Sequence, residues 1–412
     1  MIDEKTTDLI IERLVRRTDK ANEYFLKEMG KTISKIRELN PTQAQQLVQM
    51  LKYGDNYDRI VKEIAKNTDL NVKEINDIFE AYAEKDQLFY KQFYQYRNKP
   101  FIPYKENRIL KAQTDALKAV ARAEMYNFTR SNVIGYTMHE ILPNGKKGRI
   151  IFRGLRDTYN QLLDMALLNV GQGKDTFDSA MAQIMEDIGG SGLKTINYES
   201  GRSIRLDSAI SMHLQGKLLE LHNENQKITG EEIDYDGWEI SVHGNPAPDH
   251  AKAQGRQFSI EQYEILQSGE EATDYKGVKV NLDHDGKNGY RPISEMNCYH
   301  YAFTIILGVN KPQYSDEKLK EIERKSKEKI TFNGRKYTIY EGTQLQRRIE
   351  REVRQQKDIQ IFAKEANNQP LVTKANKKIR QLMKRYKELC DVSGLPPQME
   401  RMKVAGYKRG NG

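Results

Sequence analysis

Cysteine is almost missing from this chain of 412 residues: there are two, Cys298 and Cys390. Two cysteines cannot build a disulfide framework, so the expectation is a protein that folds in a reducing compartment. Long apolar runs are missing too. The longest, YAFTIILGV at 301–309, has nine residues, about half of what a helix needs to span a bilayer, so a soluble protein with no membrane partner is expected. The opening MIDEKTTDLIIERLVRR has no basic stretch followed by an apolar one and does not read as a signal peptide. No repeat of fixed period occurs, and the S-G-R at 200–202 is too short and wrongly ordered for a phosphate loop. Hydrophobic residues make up 38%. That is low for one compact globule and natural for helices with one apolar stripe and a wide solvated face. At this length two or three domains are expected.

Charge is abundant and uneven. Residues 311–412 hold 26 Lys and Arg against 13 Asp and Glu, a net of +13, which leaves −4 for residues 1–310 out of the chain's +9. A mildly acidic body with a basic tail points to a polyanion, nucleic acid first, or to an acidic protein surface. A merely solvated helical face would carry the same composition.

Apolar residues at three- and four-residue steps predict a helix over 8–39. Asn40-Pro41 ends it and caps the next helix, which runs to about Gly54. A short helix follows at 57–66. Asn71 and Glu74 have capping-box spacing before a helix that continues into 88–104, with the stripe Phe89, Phe93 and Tyr96 and terminators Pro100 and Pro103. A helix is expected over 106–135 with Leu110, Leu117, Val120, Ala121 and Met125 on one side. Residues 137–154 read as a hairpin around PNGKKG, with His139 as a structural residue. Helices follow at 157–170, with Asp175 as cap of a second at 175–188, and then at about 205–226. Asn333-Gly334 between two β-prone runs is the strongest hairpin signal. Helices at 343–366 and 371–390 read as an antiparallel basic pair, with Val372, Ile379, Leu382, Tyr386 and Leu389 facing inward. The final SGLPPQMERMKVAGYKRGNG reads as a mobile end. The fold class is α+β and predominantly helical. It divides into an N-terminal helical region (1–135), a hairpin with helices (136–232), a small irregular α+β domain (233–342) and a basic helical tail (343–412).

The stretch 238–300 concentrates the rare residues: the single tryptophan, four of the seven histidines and one cysteine. Strand-like WEISV leads His243 into a Gly/Pro-rich loop that also holds His250. NCYH places Cys298 and His300 two apart, on one side if the segment is a strand. His243, His250, Cys298 and His300 would supply the four donors that tetrahedral zinc takes, so zinc is the candidate cofactor. The plainer reading is a buried thiol and hydrogen-bonded histidines that hold an irregular domain together. A third reading is enzymatic: a metal-dependent hydrolase or a toxin-like enzyme, acting through zinc-bound water or a Cys298 nucleophile. For nucleic acid, the candidate contacts in the tail are Arg347, Arg348, Arg351, Arg354, Lys374, Lys377, Lys378, Arg380, Lys384 and Arg385.

Several of these segments, taken in order, resemble the phage minor capsid protein 2 family, related to head morphogenesis proteins encoded beside portal proteins in tailed phages. The matching pieces are GLKTINYESGRSIRLD, the run from Trp238 to His243, A-P-D-His250, QGRQFS, NCYH with YAFTIILGV, NKPQYSDEKL and ITFNGRKYTIYEGTQLQRRIEREVR. The resemblance covers about 105–365, and the N-terminal third only by its helical character. The chain departs from the family at Ala247 and Tyr299, where arginine is frequent. The resemblance implies a virion component made in the host cytoplasm and carried in few copies inside the phage head. Its implied partners are the portal protein, capsid and scaffold components, and double-stranded DNA, with a part in procapsid assembly and in DNA packaging or delivery.

Overall fold

A computed structural model of the chain describes residues 4–68, 72–130, 132–141, 147–197, 199–242, 245–282, 290–295, 298 and 300–408. The first helix, α1 (Glu4–Arg37), buries Ala21, Phe25, Met29, Ile33 and Ile36, the spacing of one helical face. α2 (Pro41–Tyr53) starts where the sequence requires. Asn40 Oδ1 accepts the Gln43 N–H at 3.0 Å, and Gln43 Oε1 accepts the Asn40 N–H at 3.3 Å, a reciprocal cap. α3 (Asn56–Thr68) and α4 (Val72–Tyr96) follow; the expected cap Asn71 lies outside the described residues. Phe93 is buried, but Tyr96, at the last turn of α4, is exposed. α5 (Arg108–Thr129) stops short of the predicted 135 because the chain turns at Val133 and the β-branched Ile134 opens a strand instead. Its Val120 is exposed, not inward-facing.

β1 (Ile134–Ile141) and β2 (Lys147–Gly154) form the expected hairpin, with Tyr136 opposite Arg153. α6 (Leu155–Asn169) and α7 (Lys174–Ser191) follow. Asp175 is not the cap of α7. The chain reaches that helix through Gly173 at φ 85°, and Asp175 sits inside the first turn. β3 (Lys194–Ile196) and β4 (Ser203–Arg205) complete a sheet of order β2-β1-β3-β4. α8 (Leu206–Glu232) leads to β5 (Gly237–Ile240), β6 (Gln257–Ser259), α9 (Ile260–Gln267), the two-residue strands β7 (Ala272–Thr273) and β8 (Lys279–Val280), and β9 (Ala302–Ile305). Then come α10 (Asp316–Lys327), β10 (Lys329–Phe332), β11 (Arg335–Thr338), α11 (Ile339–Glu365) and α12 (Gln369–Ser393). Asn333 and Gly334 turn between β10 and β11 at φ 49° and 74°, the left-handed pair a two-residue hairpin needs.

These elements group into two compact units, each assembled from three stretches of chain: Met1–Ile11, Asn71–Arg122 and Met212–Gln344 form the first, and Glu12–Leu70, Ala123–Ser211 and Leu345–Gly412 the second. The core of the first unit surrounds a sheet of order β6-β5-β9. There Trp238 stacks on Tyr263 with ring centroids 4.9 Å apart, packed with Phe258, Leu266, Val280 and Ile293. His222 is buried beside this sheet, its Nδ1 3.2 Å from Asp86 Oδ1 and its Nε2 2.9 Å from the Ala302 carbonyl.

In the second unit Tyr136 of the four-stranded sheet stacks on Phe25 of α1, centroids 4.9 Å apart. α11 and α12 are antiparallel: Gln346 Nε2 donates to Tyr386 Oη at 3.2 Å, and Tyr386 donates to Glu350 at 2.8 Å. Val372, Ile379, Leu382, Tyr386 and Leu389 are buried, as the periodicity predicts. After α12, residues 394–408 pack where a mobile end is expected; residues 409–412 lie outside the described residues. Leu395 and Met402 are buried, and Lys357 donates to the Met402 carbonyl at 2.6 Å while its ammonium lies over the Tyr407 ring. Two apolar anchors in a turn-rich segment are enough to dock it.

Candidate functional site

The rare residues of 238–300 converge because of how β5 is paired. β6 returns antiparallel on one side of β5 and β9 pairs on the other. The turn of 248–255, which carries His250, joins β5 to β6; residues 290–300 lead into β9. Ser241 and Tyr301 extend the β5–β9 pairing, with the Ser241 N–H on the Tyr301 carbonyl and the Tyr301 N–H on Ser241 Oγ, both at 2.8 Å. The β5–β6 turn and the approach to β9 are thereby held against each other.

Three of the four expected donors meet. Cys298 Sγ lies 3.5 Å from His250 Nδ1 and 3.6 Å from His300 Nδ1, and the three donor atoms are all within 4.8 Å of one another. The fourth expected donor, His243, lies outside the described residues, as does Tyr299. Cys298 and His300 are not in a strand: β9 begins at Ala302. Their side chains still face one point: the Cys298 N–H lies on the Glu295 carbonyl at 2.8 Å and the His300 N–H is directed to Cys298 Sγ at 3.4 Å.

The surroundings of this cluster were not legible beforehand. His250 Nε2 is 2.7 Å from the Arg291 carbonyl, and His300 Nε2 is 3.3 Å from Gln254 Oε1. The Arg291 guanidinium grips Asp249 at 3.0 and 3.1 Å. Burial works against the Asp249 carboxylate, yet the Arg291 bonds outweigh it and hold its pKa below the ordinary value. Burial pushes the Cys298 thiol up and His250 down. A cysteine nucleophile works through a thiolate beside an imidazolium; this pocket favours the neutral form of both.

The basic residues of the tail divide. Arg351, Lys377, Lys378 and Arg380 are exposed, as is Lys384, which pairs with Glu388 at 3.9 Å. Arg348 is also exposed and pairs with Glu352 at 3.3 Å; Lys374 pairs with Glu186. Arg347 and Arg385 are half-buried. Arg354 turns inward and pairs with Asp207.

Arg354 thereby joins a buried charge cluster that the sequence did not announce. Arg205 reaches Asp207 at 3.3 Å, Asp358 at 3.3 Å and Asp19 at 4.0 Å. Three carboxylates thus share two guanidiniums. Gly192 makes room for it: at φ 62°, a Cβ there would lie 2.1 Å from Arg205 Nη1. The only local signal was the R-x-D of Arg205 and Asp207; Asp19 and Asp358 come from distant helices.

Among the described residues no helix is long and apolar enough to cross a membrane. A family model described as phage minor capsid protein 2 matches residues 2–391. No curated protein and no solved structure matches the chain.

Proposed function

The chain belongs to the phage minor capsid protein 2 family and is thus a structural protein of a phage head, and from that premise we propose that it joins the portal during procapsid assembly and contacts the packaged DNA. The observation that carries the head assignment is the length of the match, which takes in nearly the whole chain. The portal, capsid and scaffold components are its partners in this reading. Its place is the head interior, in few copies, where it acts in DNA packaging or delivery.

The DNA contact is supported by charge and exposure together. Residues 311–412 carry a net +13, and Lys377, Lys378, Arg380 and Lys384 on α12, with Arg351 on α11, face solvent. Lys and Arg that neutralise phosphates give binding that ignores sequence and falls with salt. Arg354, tied to Asp207, is the least available of the ten candidate contacts. The test is retention of the full-length protein on immobilised duplex DNA over a salt series. Retention at low salt that declines log-linearly, equal for unrelated sequences, is expected. Flow-through at low salt refutes the DNA contact. Cross-linking in isolated procapsids tests the portal contact separately.

A further inference from the structure

We propose that Cys298, His250 and His300 hold one structural zinc ion through Sγ, Nδ1 and Nδ1. The geometry carries it. With Zn–S of about 2.3 Å and Zn–N of about 2.0–2.1 Å at tetrahedral angles, sulfur and nitrogen lie about 3.6 Å apart. The two observed separations are 3.5 and 3.6 Å. The two nitrogens, within 4.8 Å of one another, close to about 3.4 Å around the ion by ring rotation. A thiolate with two imidazoles suits zinc, whereas carboxylate and carbonyl sets suit magnesium or calcium.

The outer partners prepare the donors. A carbonyl oxygen only accepts, so His250 carries its proton on Nε2, facing Arg291 O at 2.7 Å, and directs its Nδ1 lone pair toward Cys298. His300 is arranged alike, with Nε2 on Gln254 Oε1. Metal-binding histidines are oriented in this way, the far nitrogen donating to a carbonyl. Arg291 is itself fixed by its two bonds to Asp249. The rival arrangement is a metal-free network in which the thiol donates its single proton to one imidazole.

The burial of the ligands sets the role. His250 and His300 are 1% and 3% exposed and Cys298 is half-buried. Three protein donors leave the fourth tetrahedral position to water or a further side chain, and the burial of both imidazoles favours the structural role. The ion ties the β5–β6 turn to the approach to β9 and closes the chain between residues 250 and 298. Binding free energy there is folding free energy. The proposal is independent of the particle reading.

The test uses full-length protein purified without chelators. Elemental analysis is expected to find about one zinc per chain, and a strong chelator is expected to lower the melting temperature. Cobalt exchange is expected to produce a thiolate-to-cobalt charge-transfer band that persists in Cys390→Ser and disappears in Cys298→Ser. No zinc above background after loading and desalting overturns the proposal, as does a band that survives Cys298→Ser or vanishes with Cys390→Ser. If Cys298→Ser does not fold, the Cys390→Ser protein decides alone: its only thiol is Cys298, and a missing band overturns the site.

Discussion

Replacing Asp19 by asparagine should make the protein less sensitive to pH between 5 and 8 and more stable at the upper end. Asp19 is 8% exposed. Burial and the charge of Asp207 raise its pKa from 3.8 to about 7, against the pull of Arg205 and Arg354. Burial likewise raises Asp358 to about 6, with Arg205 opposing. A carboxyl whose folded pKa is raised keeps its proton after the unfolded chain has lost it. Its contribution favours the fold most at low pH and declines as pH climbs from about 4 through the folded value. Asp207 has the opposite sense: burial would raise it, but Arg205 and Arg354 hold it well below the ordinary range. Its contribution is present above the unfolded pKa and is lost only below about pH 4. Within this cluster, therefore, Asp19 and Asp358 set the slope between pH 5 and 8 and act in the same direction. His250, pushed down by burial, contributes with the opposite sign in both proteins and cancels from their difference. For Asp19 alone, linkage gives a loss of about 2–3 kcal/mol over that range. Asp19→Asn keeps the shape and removes the titration. Urea unfolding of both proteins at pH 5, 6, 7 and 8 should show their difference growing with pH, the variant gaining by about 2 kcal/mol or more at pH 8. Wild-type and variant curves that run parallel would refute the reasoning.

Four further expectations are simpler. Lys377→Ala with Lys378→Ala and Arg380→Ala should flatten the salt dependence of DNA retention by about 2–3 units of slope, whereas Lys374→Ala, already paired with Glu186, should change it less; equal effects would count against the exposed face of α12. Phe258→Ala, from the fully buried centre of the first unit, should cost about 3–5 kcal/mol in urea unfolding. Asn40→Ala should cost about 1 kcal/mol by the same measurement, since the cap of α2 is lost. Gly192→Ala should cost at least about 1–2 kcal/mol, because it combines a left-handed φ with a collision at Arg205; an unchanged midpoint would mean that the Arg205 cluster tolerates displacement.

What was legible in the sequence was mostly local. The Asn40 cap, the Asn333-Gly334 turn and the inward face of α12 each depend on a few neighbouring residues, and the structure has all three. α10 was missed because it has almost no apolar stripe. Ser315 caps it, and ion pairs on its surface such as Lys325–Glu321 at 2.7 Å and Lys327–Glu323 at 2.7 Å stand in for periodicity. The helix forecast over 106–135 ran too long because helical spacing continues into residues that pair better as β1. The convergence of His250, Cys298 and His300 could be guessed from residue type. Arg291, Asp249 and Gln254, which set the protonation and orientation of the donors, could not, since each contact spans 40 or more positions or depends on how a turn folds. The Asp19–Arg205–Asp358 cluster was illegible for the same reason. Local patterns show where elements break, whereas the two units of three stretches each follow from which buried faces meet. The family likeness was visible over about 105–365. The N-terminal third, where only helical character was apparent, falls within the match to residues 2–391.

The claim on which the account turns is that this chain is built into the phage head. Quantitative mass spectrometry of purified procapsids and mature particles, washed at high salt, tests it most directly. The account predicts the chain in both, at a low and constant ratio to the portal protein. Its absence from both particles, with the chain recovered only in the free fraction of the lysate, would contradict it.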